Sequence, residues 1–232
     1  MSPAGIRPNL VLFDCDGVLI ESEIIACRVD SEQLSAAGFA ITPLEVAERF
    51  IGLTYREMLE TLEREHDRSM PEEMYQRIRD AVSAEFDRSL EPVPHASEVA
   101  RAVDDLGIAK CVASSSGHDR LRHTLGLTNL WDLFEPHVFS GVDVPHGKPA
   151  PDLFLAAAAQ MDVAPEDCLV IEDSVAGVRA GVAAGMQVIA FHGAAHCTPS
   201  HPKRLRDAGA PTLIDDLREL IPLLGQPLDP SP

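Results

Sequence analysis

Lysine is scarce in this chain. Only three of its 19 lysines and arginines are lysines. The chain also has 37 aspartates and glutamates, so its formal net charge is −18. Such an acidic balance argues against nucleic acid as a partner, because phosphate backbones bind to basic surfaces. An anionic ligand could bind only where a metal ion or a placed cation overrides the overall field within the Debye length of about 8 Å.

Long apolar runs are also missing. No stretch approaches the roughly 20 apolar residues that are needed to cross a membrane, and the first eight residues lack the apolar segment of a signal peptide. The five cysteines are scattered and odd in number, and three lie in or beside apolar runs. These features predict a cytoplasmic protein with buried free thiols, no disulfide framework and no membrane partner.

A cluster of histidine and cysteine lies near the C-terminal end of the sequence. His192, His196, Cys197 and His201 are close together, but their spacing matches no known zinc-binding pattern. The segment is therefore predicted to be a polar loop.

The stretch from residue 18 to about residue 91 is predicted to be almost wholly helical. A periodic segment over 23–37 ends at Gly38, and TPLE (42–45) and TYRE (54–57) are capping boxes. Apolar residues then recur at every fourth position from Met74 to Leu90, as on one face of a long helix. Prolines at 92 and 94 end this helical region.

Helical and extended segments alternate in the remainder of the chain. Strands are predicted over 10–13, 108–113, 137–140, 169–171, 188–191 and 212–214, and helices over 99–106, 120–125, 150–161 and 175–184. Such alternation predicts an α/β fold with a Rossmann-like parallel sheet. The predicted core domain comprises 1–17 and 92–232, and 18–91 is predicted to be a small inserted helical cap domain. The proline-rich tail after residue 225 is predicted to fray.

Two aspartates follow the first predicted strand. Asp14 and Asp16 are one residue apart, so in extended chain their side chains point to the same side. Two carboxylates so close repel each other unless a cation or a proton relieves them. Gly17 allows the backbone to turn closely around a ligand. The ordinary alternative is a solvated Asp-Gly turn after an edge strand.

Four segments of the chain resemble, in the same order, the motifs of haloacid-dehalogenase-type phosphatases. DCDGVL (14–19) is similar to the first motif, VASS (112–115) to the second, GKPAPD (147–152) to the third, and IEDS (171–174) to the fourth. The resemblance covers nearly the whole chain. Because ligands bind beyond the carboxyl ends of parallel strands, these segments are expected to converge on one crevice.

The residues of the first motif suit phosphoryl transfer. A carboxylate can attack phosphorus and form an aspartyl-phosphate, so Asp14 is the candidate nucleophile. Asp16 is the candidate general acid and base. The resemblance implies the same roles, and it also implies that Asp16 binds a metal ion through its backbone carbonyl. Since dehalogenase relatives lack the second aspartate, Asp16 indicates phosphoryl rather than carbon–halogen chemistry.

The other motifs supply candidate ligands for metal and phosphate. Asp14, Asp16, Asp173 and Glu172 are the candidate ligands of Mg²⁺, because hard oxygen ligands suit that ion. The alternative for Glu172 and Asp173 is an acidic helix N-terminus.

Phosphate is predicted to contact Gly17, Ser114, Ser115 and Lys148. Lys148 can neutralise both the phosphoryl group and Asp14. A serine-rich turn is the ordinary alternative for the two serines.

The helical segment resembles the small cap of the branch that contains phosphoglycolate phosphatases, sugar-phosphate phosphatases and β-phosphoglucomutase. Its segment 49–56 takes the place of the specificity loop, so Arg49 and Arg56 could bind a second anionic group, or they could be surface charges. Within the branch, the FDCDG opening and the RFIG segment are most similar to bacterial 6-phosphogluconate phosphatases.

Three features depart from the family pattern. Glu21 replaces the usual aspartate after the first motif, which puts the hinge geometry in doubt. Ala26 stands where the mutase has a histidine, and residues 18–91 contain no lysine. Without these two restraints, Asp16 is expected to be free to activate water. The missing cap lysine also excludes the Schiff-base chemistry of the phosphonate-cleaving branch.

The sequence thus predicts a Mg²⁺-dependent phosphatase for a small phosphorylated sugar or sugar acid. A hexose-phosphate mutase is the alternative enzyme, and a binding protein that keeps the fold without catalysis is the alternative of another class. The expected partner is a small phosphorylated metabolite, and the expected assembly is a monomer or weak homodimer.

Overall fold

A six-stranded parallel sheet forms the centre of the computed structural model, which describes residues 8–51 and 55–224. The strand order is β3-β2-β1-β4-β5-β6, and all neighbouring strands run parallel. The strands are β1 (Leu10–Phe13), β2 (Ala109–Ser114), β3 (Val138–Ser140), β4 (Cys168–Glu172), β5 (Gln187–Phe191) and β6 (Thr212–Ile214). The predicted α/β fold is confirmed.

The side chains of β1 alternate between two apolar layers, one on each face of the sheet. Val11 and Phe13 belong to one buried cluster, and Leu10 and Leu12 belong to the other. This alternation follows from the two-residue period of a strand. Because β1 is fully buried between β2 and β4, its carboxyl end opens at the middle of the sheet edge.

Eleven α-helices lie in the described residues. They are α1 (Ser22–Ala36), α2 (Pro43–Phe50), α3 (Tyr55–His66), α4 (Met74–Ser89), α5 (Ala96–Asp105), α6 (His118–Leu127), α7 (Trp131–Phe134), α8 (Asp152–Gln160), α9 (Val175–Ala183), α10 (His201–Asp207) and α11 (Leu220–Leu224). The sequence analysis did not predict the short helices α7 and α10. No helix among the described residues has the length and apolar character to span a membrane.

Helices α1–α4, here called the helical insertion, follow β1 directly. The capping box at Thr42 and Glu45 is confirmed, with Pro43 at the helix start. The predicted apolar face of α4 is also confirmed, since Met74, Ile78, Val82 and Phe86 are all buried. The predicted capping box at 54–57 includes Thr54, which lies outside the described residues, as does the tail from 225.

Two extended segments join the helical insertion to the sheet. Ile20 pairs with Pro92, the Glu21 N–H donates to the Glu91 carbonyl, and the Val93 N–H donates to the Leu19 carbonyl. Residues 18–21 are therefore not helical, which corrects the prediction for the start of this stretch. The division into a core (1–17 and 92–232) and a cap (18–91) stays a prediction.

Candidate active site

Loops from four strands meet at the carboxyl edge of the sheet and border a cavity of about 540 Å³. Asp14 follows β1, Ser114 ends β2, and Glu172 ends β4. Lys148 comes from the segment between β3 and α8. The structure thus brings together residues from all four predicted motifs, although they are as much as 158 positions apart in the sequence.

Lys148 connects two of these motifs. Its Nζ lies 2.6 Å from Asp14 Oδ1, 2.6 Å from Glu172 Oε1 and 2.9 Å from the Ala113 carbonyl oxygen. Burial alone would lower the pKa of Lys148, but the two carboxylates outweigh burial and raise it. The lysine is therefore a buried permanent cation beside Asp14, which is the role that the sequence suggested.

Asp14, Glu172 and Asp173 bring three carboxylates together. One oxygen atom from each lies within 4.8 Å of the others, and all three residues are buried. Burial raises the pKa of Asp14 well above its usual value, Lys148 opposes that rise, and the neighbouring acids add to it. Such a group of hard oxygen atoms suits a divalent cation. Both oxygens of Glu172 already have partners, since Oε2 accepts from the N–H and the hydroxyl of Ser174.

Two histidines hold Asp173. His196 Nε2 lies 3.1 Å from Asp173 Oδ2, and His201 Nε2 donates to the Asp173 carbonyl oxygen at 2.6 Å. His196 Nδ1 is buried without a hydrogen-bond partner among the described residues, and Nε2 also lies 3.6 Å from Cys197 Sγ. Both side chains are buried. Residues 192–200 form a loop, as predicted, but His196 and His201 are buried against Asp173, and His201 begins α10.

Gly17 explains how these groups come so close. A Cβ at this position would lie 2.0 Å from Asp173 Oδ2 and 2.8 Å from His196 Cε1, and the backbone φ is +81°. Any other residue would push the carboxylate away from its place and strain the backbone.

Asp16 is held by groups from three parts of the chain. Its Oδ1 accepts hydrogen bonds from Ser22 Oγ at 2.6 Å and Arg120 Nη2 at 2.8 Å, and its Oδ2 accepts from Ser116 Oγ at 2.8 Å. Burial acts to raise the pKa of Asp16, but Arg120 and these hydrogen bonds together lower it. Ser22, Ser116 and Arg120 thus hold Asp16 in this structure, and the expectation that Asp16 is free to activate water stays a prediction.

The predicted phosphate-binding serines lie beside this network. Ser114 is buried, and its Oγ accepts a hydrogen bond from the Ser116 N–H. Ser115 lines the cavity. Ser116 donates to Asp16, so its hydroxyl serves a carboxylate in this arrangement.

The family model of the haloacid dehalogenase-like hydrolases matches residues 11–191, which contain every motif of this site. The chain belongs to the haloacid dehalogenase-like hydrolases. The prediction of a phosphoric monoester hydrolase is confirmed at the level of this family and its phosphatase-named relatives.

Three relatives show how far the similarity extends. A 6-phosphogluconate phosphatase from Escherichia coli K12 is 34% identical over 199 residues, covering 85% of this chain and 89% of that protein. A haloacid dehalogenase-like protein of unknown function from Agrobacterium tumefaciens has 37% identity and a TM-score of 0.87, over 94% of this chain and 97% of that one. A hydrolase of this family from Deinococcus radiodurans, solved with bound phosphate and sodium, has 32% identity and a TM-score of 0.80. The match covers 95% of this chain and 96% of that one.

Proteins named for the alternative activity are also similar to this hydrolase. Putative β-phosphoglucomutases from Thermotoga maritima and Bacteroides vulgatus share 26% and 29% identity with it, with TM-scores of 0.76 and 0.73. They cover 94% of this chain each, and 98% and 88% of their own chains. These likenesses show a shared fold, and they leave the choice between hydrolysis and transfer to the chemistry of the site.

The helical insertion forms one wall of this hydrolase's cavity. Glu23 and Asp30 on α1 and Tyr55 on α3 line it, and Tyr55 Oη lies 3.3 Å from Asp30 Oδ1. Burial raises the pKa of Asp30 to about 7, and burial together with the nearby Asp16 charge raises that of Glu23 to about 7. Sequence reasoning missed Glu23 and Asp30, since α1 showed only a helical period, whereas Tyr55 lies in the segment 49–56 that was predicted to be the specificity loop.

The two predicted specificity arginines do not line the cavity. Arg49 is paired with both oxygens of Glu65 at 2.6 and 2.7 Å on an exposed surface, and Arg56 is exposed. Their predicted contact with a second anionic group has no support from this arrangement and stays a prediction. Glu21 accepts a hydrogen bond from the Ala195 N–H at 3.0 Å, so its side chain reaches the loop that contains His196.

Proposed function

We propose that this chain is a Mg²⁺-dependent phosphatase that hydrolyses a small phosphorylated sugar or sugar acid through an aspartyl-phosphate on Asp14. The observation that supports this most is the placement of Asp14 against Lys148, beside Glu172 and Asp173, at the edge of a cavity. A phosphate ester resists attack because it is negatively charged, so its site must supply positive charge and a nucleophile together. Lys148 and Asp14 supply both.

The residues of the site fit Mg²⁺. Buried carboxylate oxygens dominate the donor set, and the pKa of Asp173 is raised first by burial and then by the Glu172 charge, so a cation would relieve the repulsion. We assign the ion to the side chains of Asp14 and Asp173 and to the backbone carbonyl of Asp16. We do not assign Glu172 as a ligand of the ion, because its two oxygens already accept hydrogen bonds from Lys148 and Ser174. When bound, Mg²⁺ would supply charge that offsets the phosphoryl oxygens.

In the first half-reaction, a carboxylate oxygen of Asp14 attacks phosphorus, and the bond between phosphorus and the leaving oxygen breaks. Asp16 donates a proton to that oxygen, which leaves as an alcohol. Because Arg120, Ser22 and Ser116 favour the ionised form of Asp16, the substrate must displace at least one of these donors before Asp16 can hold the proton.

In the second half-reaction, Asp16 takes a proton from a water molecule whose oxygen attacks phosphorus. The bond between Asp14 and phosphorus breaks, and inorganic phosphate leaves. The ionised form of Asp16 that the structure favours is the form that a general base needs. Lys148 remains beside Asp14 throughout and stabilises each charge that the carboxylate regains.

One observation favours the mutase as a second candidate. A mutase must keep Asp16 from activating water until a sugar is bound, and Asp16 accepts three hydrogen bonds in this structure. The donors differ from the histidine and lysine that the mutase resemblance implies, because Ala26 and a lysine-free insertion stand in their places. We rank hydrolysis first for that reason.

A direct assay tests this proposal. We expect phosphate release from p-nitrophenyl phosphate and hexose phosphates that depends on Mg²⁺ and stops with EDTA. With β-glucose 1-phosphate, release should proceed without a bisphosphate activator, and glucose 6-phosphate formation should be negligible. Isomerised product that outpaces phosphate would establish the mutase instead, and no release at any Mg²⁺ concentration would refute the phosphatase.

We further propose that the helical insertion acts as a cap over the site. Ser22 of α1 reaches Asp16, and residues of α1, α2, α3 and α4 line the cavity. A monomer or weak homodimer remains the proposed assembly.

A further inference from the structure

The helix end of the cavity has an acidic wall, which consists of Glu23, Asp30 and Tyr55. Glu23, Ala26, Cys27 and Asp30 all line the cavity, and their spacing puts them on one face of α1. The wall therefore faces the strand end of the same cavity, where Asp14 and Lys148 lie. A volume of about 540 Å³ is ample for a small ligand that touches both ends.

Asp30 is built into this wall with unused hydrogen-bonding capacity. Its side chain is only 5% exposed, yet its one hydrogen bond within the described residues is the 3.3 Å contact from Tyr55 to Oδ1. Oδ2 has no donor among those residues. An oxygen that lines a cavity without a protein donor is free to accept a hydrogen bond from water or from a ligand. Glu23 likewise has no hydrogen bond to any described residue.

The cavity offers little positive charge to an anionic group at this end. Among the described residues that line it, only Arg120 and Lys148 are basic. Lys148 is committed to Asp14 and Glu172, and Arg120 is bonded to Asp16 with its guanidinium over the Phe86 ring at 5.1 Å. Arg49 is bonded to Glu65 outside the cavity. Arg120 Nε is buried without a hydrogen-bond partner among the described residues, and the Arg120 charge also opposes the rise in pKa of Glu23 and Asp30, so one guanidinium is shared among three carboxylates. A carboxylate or second phosphate here would therefore meet more negative than positive charge.

We propose that the acidic wall selects phosphate esters whose leaving group is a neutral or cationic polyhydroxy alcohol, and that it rejects esters of sugar acids and bisphosphates. Hydroxyl or ammonium groups of such a ligand would donate to Asp30 Oδ2 and Glu23, whereas a carboxylate would be repelled. This inference rests on the proposed phosphatase function. It narrows that function and departs from the substrate that the E. coli relative's name states.

Three six-carbon esters that differ in charge far from the phosphate test the selection. Sorbitol 6-phosphate has a hydroxymethyl group where 6-phosphogluconate has a carboxylate, and glucosamine 6-phosphate adds an ammonium group. We expect kcat/KM for sorbitol 6-phosphate and glucosamine 6-phosphate to exceed that for 6-phosphogluconate by about tenfold or more, because like charges brought together in a site are strongly disfavoured. A wild-type kcat/KM for 6-phosphogluconate that equals or exceeds that for sorbitol 6-phosphate overturns the proposal.

Substitutions test whether Glu23 and Asp30 of the acidic wall cause this substrate preference. Asp30→Asn combined with Glu23→Gln keeps shape and removes both charges, so the preference should fall by about tenfold. Glu32→Gln, on the exposed face of the same helix, removes one charge outside the cavity and should leave the preference unchanged. An undiminished preference in the double variant, shown to be folded by circular dichroism, overturns the assignment to these residues.

A binding measurement separates this inference from the proposed reaction. Asp14→Asn should bind the esters without consuming them, so calorimetry with Mg²⁺ gives their dissociation constants directly. If the wild type releases no phosphate even from p-nitrophenyl phosphate, the phosphatase function fails while binding still decides the selection. Tighter binding of 6-phosphogluconate than of sorbitol 6-phosphate, for example through Arg120 turning away from Asp16, overturns the inference.

Discussion

The two ends of the cavity are both acidic, but they balance that charge in different ways. At the strand end, Asp14, Asp16 and Glu172 are each bonded to a basic side chain. At the helix end, Glu23 and Asp30 have no hydrogen bond to a basic side chain among the described residues, and burial raises their pKa values to about 7 although Arg120 opposes the rise. Ion pairs therefore fix the geometry of the strand end, whereas the charge of the helix end depends on how far Glu23 and Asp30 are protonated. The following substitutions test that contrast.

Removing the nucleophile should have the largest effect. Asp14→Asn is nearly isosteric, and we expect turnover to fall by about a thousandfold or more, because the amide cannot form the covalent intermediate. Steady-state phosphate release measures the loss, and circular dichroism checks the fold. Asp105→Asn, an exposed change on α5, is the matched control. Turnover within about tenfold of the wild type, roughly 1.4 kcal/mol of barrier, contradicts the assignment of Asp14.

Removing the central cation should destabilise the strand end. Lys148→Met leaves two buried carboxylates without their partner, so the free energy of unfolding should fall by about 3–5 kcal/mol. Urea unfolding measures this change. Lys203→Met breaks an exposed pair with Asp207 and should cost less than about 1 kcal/mol. Equal losses in the two variants would show that the Lys148 network contributes no more than a surface pair.

Removing the histidine beneath Asp173 should weaken the metal site while leaving the fold intact. His196→Gln cannot reproduce the ring's contact with Oδ2, and we expect Mg²⁺ to bind about 10–100-fold more weakly, as for other groups that orient a metal ligand. Isothermal titration of the protein with Mg²⁺ alone provides the readout. His118→Gln, an exposed change on α6, is the control. An unchanged dissociation constant would mean that His196 does not position Asp173.

Removing one acid from the helix end should have the smallest effect, and its size should depend on pH. The pKa of Asp30 is raised to about 7 from 3.8, so the folded state holds this proton more tightly than the unfolded state does. The resulting stability is fully present below pH 3.8 and is lost as the pH rises through about 7. Asp30→Asn cannot ionise, so from pH 5 to pH 8 it should lose less stability than the wild type, by on the order of 2 kcal/mol.

Urea unfolding at the two pH values checks this difference. Glu23 remains in the variant, so some decline with pH should persist. Asp105→Asn should follow the wild type at both values. Parallel curves for the wild type and Asp30→Asn would contradict a raised pKa at Asp30.

The contrast also explains what the sequence could predict. The strands were predictable because each is a short apolar run, and the strand end of the site followed because parallel strands bring their carboxyl ends to one edge. Asp14, Lys148 and Asp173 lie in those local motifs. Contacts made by long-range packing were not predictable. Arg120 has the sequence context of a surface residue on a helix, yet it reaches Asp16 across 104 positions.

The helix end was missed for a related reason. A helical period shows which positions share a face, but it does not show what that face meets, and Glu23 and Asp30 could equally have faced solvent. His196 and His201 were assigned to a polar loop because their spacing matches no zinc pattern, and their burial against Asp173 was not predicted. Their partner is a carboxylate and a carbonyl of Asp173, which no spacing rule describes.

The central place of β1 has a consequence for how the chain matures. β1 is the first strand to be synthesised, but its two neighbours are Ala109–Ser114 and Cys168–Glu172, so its pairing is complete only after most of the chain has been made. The helices of the insertion depend mainly on local contacts and can form earlier. Asp14 and Asp16 thus stay hydrated while the ribosome adds the next 150 or so residues, because chains grow from the N-terminus and non-local pairing comes late. Glu172 and Asp173 arrive only at the end of β4, so a nascent chain that stops short of it has Asp14 without the other two carboxylates of the site.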